Sequence, residues 1–98
     1  MNTNMRAVLL LKERHVLDES TFVDIVIWQV PKPLRGSTHG FKYRLALVAD
    51  DVCVLRFDNE TGKGDHRHLG ARQVPYVFST LETLIADFWH AVEDWRSE

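Results

Sequence analysis

The densest run of reactive side chains is Gly62-Lys63-Gly64-Asp65-His66-Arg67-His68, where two cations, two imidazoles and a carboxylate crowd around two glycines. Glycines let a backbone approach a ligand closely, and polar loops on a rigid sheet are where sites tend to sit. A two-residue hairpin turn at Asp50-Asp51 would bring more residues to the same place. It pairs Tyr43 with Asp58, Arg44 with Phe57 and Lys42 with Asn59, and near the turn Val48 with Cys53, Leu47 with Val54 and Ala46 with Leu55. The turn end is then apolar, while Lys42, Tyr43, Arg44, Arg56, Asp58 and Asn59 gather at the far end. The loops carrying His39 and Lys63 to His68 leave from that end. Taken singly, each of these is an ordinary outward strand residue or turn former. The combination favours a site.

Two chemistries fit. In the first, Arg44, Lys63 and Arg67 hold the oxygens of a phosphodiester and the charge that grows on them in the transition state. An imidazole, with an ordinary pKa near 6.5, suits His66 or His68 to proton transfer at a 2′-hydroxyl and a leaving oxygen. Tyr43 would stack on a base or donate a hydrogen bond. In the second, His66 and His68 are metal ligands with Asp58 or Asp65, because residues two apart on an extended segment point the same way. A His-x-His pair without a third ligand at known spacing is a weak metal signal, so this reading ranks second. The candidates for catalysis are therefore His66, His68, Lys63, Arg44 and Asp65. Those for substrate binding are Tyr43, Lys42, Arg67, Asp58, Asn59 and His39, with no metal and no cofactor called for.

Other chemistries lack their motifs. Gly62-Lys63-Gly64 has the wrong glycine spacing for a phosphate-binding P-loop, and no Ser or Thr follows the lysine. No nucleophile elbow surrounds Ser20, Ser37 or Ser79.

The elements that must position these residues follow from length and pattern. Ninety-eight residues allow one domain, 1–98, with one core. The single cysteine, Cys53, rules out an internal disulfide and suits a reducing compartment. Its neighbours Val52, Val54 and Leu55 suggest a buried thiol. The N-terminal apolar run Ala7–Leu11 is too short for a signal-peptide core or a membrane span, which makes the cytoplasm the expected address. The net charge of −2 hides an asymmetry. Residues 1–31 hold three Lys/Arg against four acids, residues 32–72 eight against five, and residues 73–98 one against five. A basic middle beside an acidic end suits an anion on one side and a different partner on the other.

Met5–Lys12 predicts a first strand, and Asp18, Glu19 and Ser20 a turn. Thr21–Val30, dense in β-branched residues and apolar on both faces, predicts a strand inside the sheet that Pro31 and Pro33 end. Leu34–Gly40 is expected as a loop, Phe41–Ala49 and Val52–Asn59 as a hairpin, and Asn59–Gly70 as loop again. Arg72–Phe78 adds a short strand whose Pro75 argues for an edge. Ser79-Thr80-Leu81-Glu82 fits a capping box, and Leu81, Leu84, Ile85, Phe88, Trp89, Val92 and Trp95 recur at helical spacing. The expected fold is α+β: an antiparallel sheet of four to five strands packed by one C-terminal amphipathic helix. The acidic polar side of that helix argues against an anionic membrane.

Val26-Ile27-Trp28-Gln29-Val30-Pro31, Gly36-Ser37 with His39, Tyr43-Arg44-Leu45-Ala46, Phe57-Asp58-Asn59-Glu60, Gly62-Lys63-Gly64-Asp65-His66 with His68, and Leu84-Ile85-Ala86-Asp87-Phe88 ending in Asp94-Trp95-Arg96 resemble the TumE family. The resemblance runs from about Met5 to Arg96, and Asp-Asn-Glu-x-Gly-Lys-Gly-Asp-His-x-His is its most specific stretch. It implies the toxin side of a type II toxin–antitoxin module, with a DNA-binding antitoxin as partner. Many members carry Asn-Gly where this chain has Asp50-Asp51, a departure that touches the turn and not the polar end. No catalytic residue carries over position by position. RNA binding and metal-free cleavage come from the cationic His loop and from analogy with other small toxins. The rivals are a toxin of metal-dependent nuclease or group-transfer chemistry, and a binding module that is no enzyme. Homo-oligomerisation is left open.

Overall fold

The computed structural model describes residues 6–98. Six strands, β1 (Val8–Asp18), β2 (Thr21–Gln29), β3 (Phe41–Ala49), β4 (Val52–Glu60), β5 (Gly64–Leu69) and β6 (Arg72–Pro75), form one antiparallel sheet in sequence order. The helix α1 (Leu81–Arg96) follows them. The α+β class agrees with the sequence; the strand count is six instead of four to five. The extra strand is β5, expected as loop. Its residues Asp65 to His68 are all polar, so the hydrophobic alternation that announces a strand is missing. The expected start of the first strand at Met5 lies outside the described residues, and β1 runs on to Asp18. There Asp18 Oδ1 accepts the Ser20 N–H at 2.9 Å, closing the turn into β2.

Strand alternation gives the sheet two faces. Val23, Ile25 and Ile27 of β2, Tyr43, Leu45 and Leu47 of β3, and Leu55 and Phe57 of β4 are buried together with Leu84, Phe88 and Val92 of α1. Phe57 and Phe88 meet edge to face with ring centroids 5.6 Å apart, the geometry the ring quadrupoles favour. Burying a side chain of this size contributes roughly 1.5–3 kcal/mol, and eleven such residues form the core. The N-cap is Thr80 and not Ser79: its hydroxyl accepts from Thr83 N–H at 3.1 Å, so the first turn begins one residue later than the capping-box spacing suggested. Among the described residues no helix lies on the opposite face of the sheet. Cys53 is exposed, a correction to the buried thiol its apolar neighbours suggested, because it lies just past the hairpin turn beside exposed Val52.

The hairpin turn forms as expected, with Asp50 and Asp51 at φ of 51° and 65°. Val48 pairs with Cys53, but a bulge between Leu47 and Val48 shifts the ladder beyond it. Leu47 meets Leu55, Ala46 meets Arg56, Leu45 meets Phe57 and Arg44 meets Asp58, one place off the expected register. A one-residue slip moves every side chain to the other face. It therefore decides which candidates can share a site.

Candidate functional site

The candidate residues separate into two groups, one on each side of β4 and β5. Asn59 pairs with Asp65 and Phe57 with Arg67, on the side covered by α1. Asp58 pairs with His66 and Arg56 with His68, on the open side.

On the covered side the Asp65 carboxylate is a buried acceptor for three donors. Ser37 Oγ donates to Oδ1 at 2.6 Å. His39 Nε2 donates to Oδ2 at 2.7 Å, and Tyr43 Oη donates to the same oxygen at 2.6 Å. His39 Nδ1 accepts the Phe41 N–H at 3.2 Å, so that nitrogen carries no proton and the ring is held as the neutral tautomer with Nε2–H. Phe78 stacks on the ring with centroids 3.8 Å apart. Burial first, and the hydrogen bond to Asp65 second, push the Tyr43 phenol far above its ordinary pKa, keeping it a donor. Asn59 finishes the ladder: its Oδ1 accepts Tyr43 N–H at 2.9 Å and its Nδ2 donates to Phe41 O at 2.8 Å and Ser37 Oγ at 3.3 Å.

This network latches the loop of residues 31–40 onto the β4–β5 turn, and glycines make the contact fit. A Cβ on Gly36 would lie 2.8 Å from Gly64 N, and one on Gly64 2.9 Å from Gly36 O; both residues have positive φ. Every polar group of the latch is engaged within the protein, leaving no free acid, base or nucleophile. Arg67 is on this side too, with its guanidinium carbon 6.0 Å from the centroid of the Phe57 ring.

The open side is different. A cleft of about 230 Å³ is walled by Arg56, Asp58, Glu60, Lys63, His66, His68 and Gln73. Arg56 Nε lies 3.0 Å from Asp58 Oδ2, but its N–H makes no hydrogen bond, so the pair is held by charge. His68 Nε2 stands 3.2 Å from Arg56 Nη2 and 3.3 Å from Asp58 Oδ1. One nitrogen cannot accept from the guanidinium and donate to the carboxylate at once. With Nε2 unprotonated the ring takes Arg56; with Nε2 protonated, as in the imidazolium, it takes Asp58. His66 Nδ1 lies 3.2 Å from the Gly64 carbonyl, which can only accept, so Nδ1 carries a proton and, in the neutral ring, Nε2 holds the lone pair. The two rings are 6.5 Å apart between centroids. Lys63, in the turn, is exposed and meets Glu60 at 3.4 Å.

Among the expected site residues, His66, His68 and Asp58 meet in the cleft with Lys63 at its rim. Arg44 is the cross-strand neighbour of Asp58 on the same face, and Lys42 lies two residues along β3 from it. Asp65, Tyr43, Asn59, His39 and Arg67 lie behind the sheet. Asp65 is thus not beside the two histidines, and among the described residues no group of three His, Cys, Asp or Glu side chains is placed to hold a metal ion. The sequence places Arg56 at the polar end of the hairpin but gives it no catalytic or binding role, although its spacing of two from Asp58 on a strand puts both on one face. Ser37 was marked only by the family resemblance, and Phe78 gave no signal.

The Asp-Asn-Glu-x-Gly-Lys-Gly-Asp-His-x-His stretch therefore builds both halves, latch and cleft. The model of a family described as Toxin TumE matches residues 6–96. The chain belongs to this toxin family. The TumE match covers β1 to α1 and both halves of the stretch. Neither curated proteins nor solved structures give a match. No helix among the described residues is long and apolar enough to cross a membrane.

Proposed function

We propose that this TumE toxin acts on RNA and cleaves it in the open-face cleft without a metal. The observation that carries the reading is the pairing of two histidines with different hydrogen-bond states beside Arg56 and Lys63. In its neutral form His66, with its proton on Nδ1, offers the Nε2 lone pair to the proton of a ribose 2′-hydroxyl. The 2′-oxygen then bonds to phosphorus, and the bond to the 5′-oxygen breaks. His68 as imidazolium gives that leaving oxygen its proton and falls back from Asp58 to Arg56. The products are a 2′,3′-cyclic phosphate and a free 5′-hydroxyl. Arg56 and Lys63 face the negative charge that grows on the phosphoryl oxygens. Asp65, His39 and Tyr43 support the site from behind, because a clamped Asp65 fixes its neighbour His66. A DNA-binding antitoxin is the expected partner, shielding the cleft or docking on the acidic side of α1.

The test is to incubate the purified protein with total cellular RNA, with and without chelator, and to sequence the fragment ends. The expected outcome is new ends bearing cyclic phosphates, insensitive to chelator and reduced on the order of 10²–10⁴-fold by His66→Ala or His68→Ala. Intact RNA from protein that still arrests growth would overturn the nuclease reading in favour of group transfer or binding.

A further inference from the structure

The cleft occupies one end of a much larger surface, the uncovered face of the sheet. Lys12 of β1, Val26 of β2, Arg44 of β3, Asp58 of β4 and His66 of β5 are successive cross-strand partners in one row. Strands lie about 4.8 Å apart, so this row spans roughly 19 Å from Lys12 to the cleft. In the adjoining rows Arg14 is taken up by Asp24, in two bonds of 2.7 and 2.8 Å, and Arg56 by Asp58. Lys12, Lys42 and Arg44 enter no ion pair among the described residues. All three are exposed. The hydrogen bonds from Arg14 hold the Asp24 carboxyl below its ordinary pKa, and Arg44 and Lys12 add a smaller pull from across the strands, which places these cations in one field.

An aromatic ring lies within this field. Trp28 of β2 is on the face opposite buried Ile27, directly between Leu9 of β1 and Lys42 of β3, and is half-buried. No aromatic ring stacks on it among the described residues. Cations spaced along a flat sheet, with an aromatic platform beside them, form the combination that binds a nucleic-acid strand whose bases are free to stack. A duplex keeps its bases paired inside, and among the described residues no helix rises from this face to enter a groove.

We infer that the open face is a track for single-stranded RNA, running from the cleft across β4, β3 and β2 to β1, with Arg44, Lys42 and Lys12 on phosphates and Trp28 beneath a base. The inference rests on the RNA reading above and adds the form of the substrate and a binding surface outside the cleft. It makes the toxin selective for unpaired regions, since a paired strand reaches the cations but not Trp28.

The test is fluorescence anisotropy with a labelled RNA of about 12 nucleotides, free or annealed to its complement, from about 50 to 200 mM salt. The single strand should bind more tightly than the duplex. Lys12→Ala and Lys42→Ala should each flatten the slope of log K against log salt by about 0.7, the share of one phosphate contact on a single strand. Trp28→Ala should weaken binding by roughly 5- to 150-fold. Because Trp28 is half-buried, the exposed-lysine double variant, checked by circular dichroism, is the decisive arm. Tight RNA binding with an unchanged salt slope in that variant, or equal affinity for duplex, would overturn the track and leave the cleft reading standing. No binding of RNA in either form would overturn both and assign the face to a protein partner.

Discussion

His39 and His68 lie on opposite sides of the same two-strand ladder, each within hydrogen-bonding reach of an aspartate, yet they are placed for opposite purposes. His39 has both nitrogens engaged, one by a backbone N–H and one by Asp65, under a stacked Phe78. His68 has one nitrogen poised between Arg56 and Asp58, with two incompatible ways to satisfy it. A histidine beside a carboxylate is therefore no site by itself. Complete satisfaction makes a latch, and incomplete satisfaction beside open space makes a place where a proton or a ligand can change the arrangement.

The sharpest way to break the comparison is to remove one member of each histidine–aspartate pair. Asp65→Ala leaves three donors, on buried Tyr43 and half-buried Ser37 and His39, without their acceptor, and each unsatisfied group costs about 1–3 kcal/mol when kept from water. The expected loss is about 3 kcal/mol or more, a fall in melting temperature on the order of 12 °C or greater for a domain of this size. His68→Ala should change stability by less than about 1 kcal/mol, since its ring faces the cleft. Equal losses in thermal melts would erase the distinction between the two faces.

Gly64→Ala probes the latch through the backbone. Its φ is +76° and a Cβ would meet Gly36 O at 2.9 Å, so strain and collision add. Gly70 has φ of +63° with nothing within 4 Å of a Cβ, so Gly70→Ala meets the strain alone. The expected costs are roughly 2–3 kcal/mol at Gly64 and about 1 kcal/mol at Gly70. Urea titration would show a similar cost at both if the close approach of the two loops contributes nothing.

Tyr43→Phe tests the latch by pH. The folded phenol titrates above its ordinary value of 10.0, raised mainly by burial and then by Asp65. Its contribution is therefore complete below pH 10 and is lost as pH rises from there through the folded value. The variant should be less stable by about 1–2 kcal/mol near neutral pH and should lose less than the wild type above pH 10. The remaining alkaline loss belongs to Tyr76, whose phenol is also raised, by burial and by its bond to Asp87. An unchanged alkaline slope in Tyr43→Phe would show that the hydroxyl does not hold the latch.

How far the sequence disclosed this division turns on a few residues. The hairpin turn, the inner position of β2, the edge position of β6 and the face of α1 were legible because turn chemistry and hydrophobic period act locally. The polar end of the hairpin was legible as a place. Its division into two faces was not, because one bulged residue near Val48 reverses the side on which Asp58 falls. A bulge in a run of apolar residues leaves no polar mark. Strand β5 was hidden for the opposite reason: Asp65 is buried by its partners and not by its own hydrophobicity, so the strand carries no apolar alternation to read.

The smallest predicted effect separates structural charge from binding charge on the open face. Arg14 donates two hydrogen bonds to Asp24 and thereby holds its carboxyl below the ordinary 3.8. A lowered carboxyl stabilises the fold above the unfolded value and loses that contribution as pH falls through the folded one. The pair is largely exposed, so it should contribute only about 0.2–1 kcal/mol and less in high salt. Asp24→Asn should therefore hardly move the melting temperature at neutral pH, and should soften the acid limb of the stability profile. The same substitution removes a negative charge among Lys12, Arg14 and Arg44 and frees a guanidinium. RNA affinity should rise, with a steeper salt slope, while the latch behind the sheet stays as it was. If Asp24→Asn instead weakened RNA binding without unfolding the protein, the cations of the open face would not be acting on phosphates, and the contrast between a finished face and a receptive one would have to rest on the cleft alone.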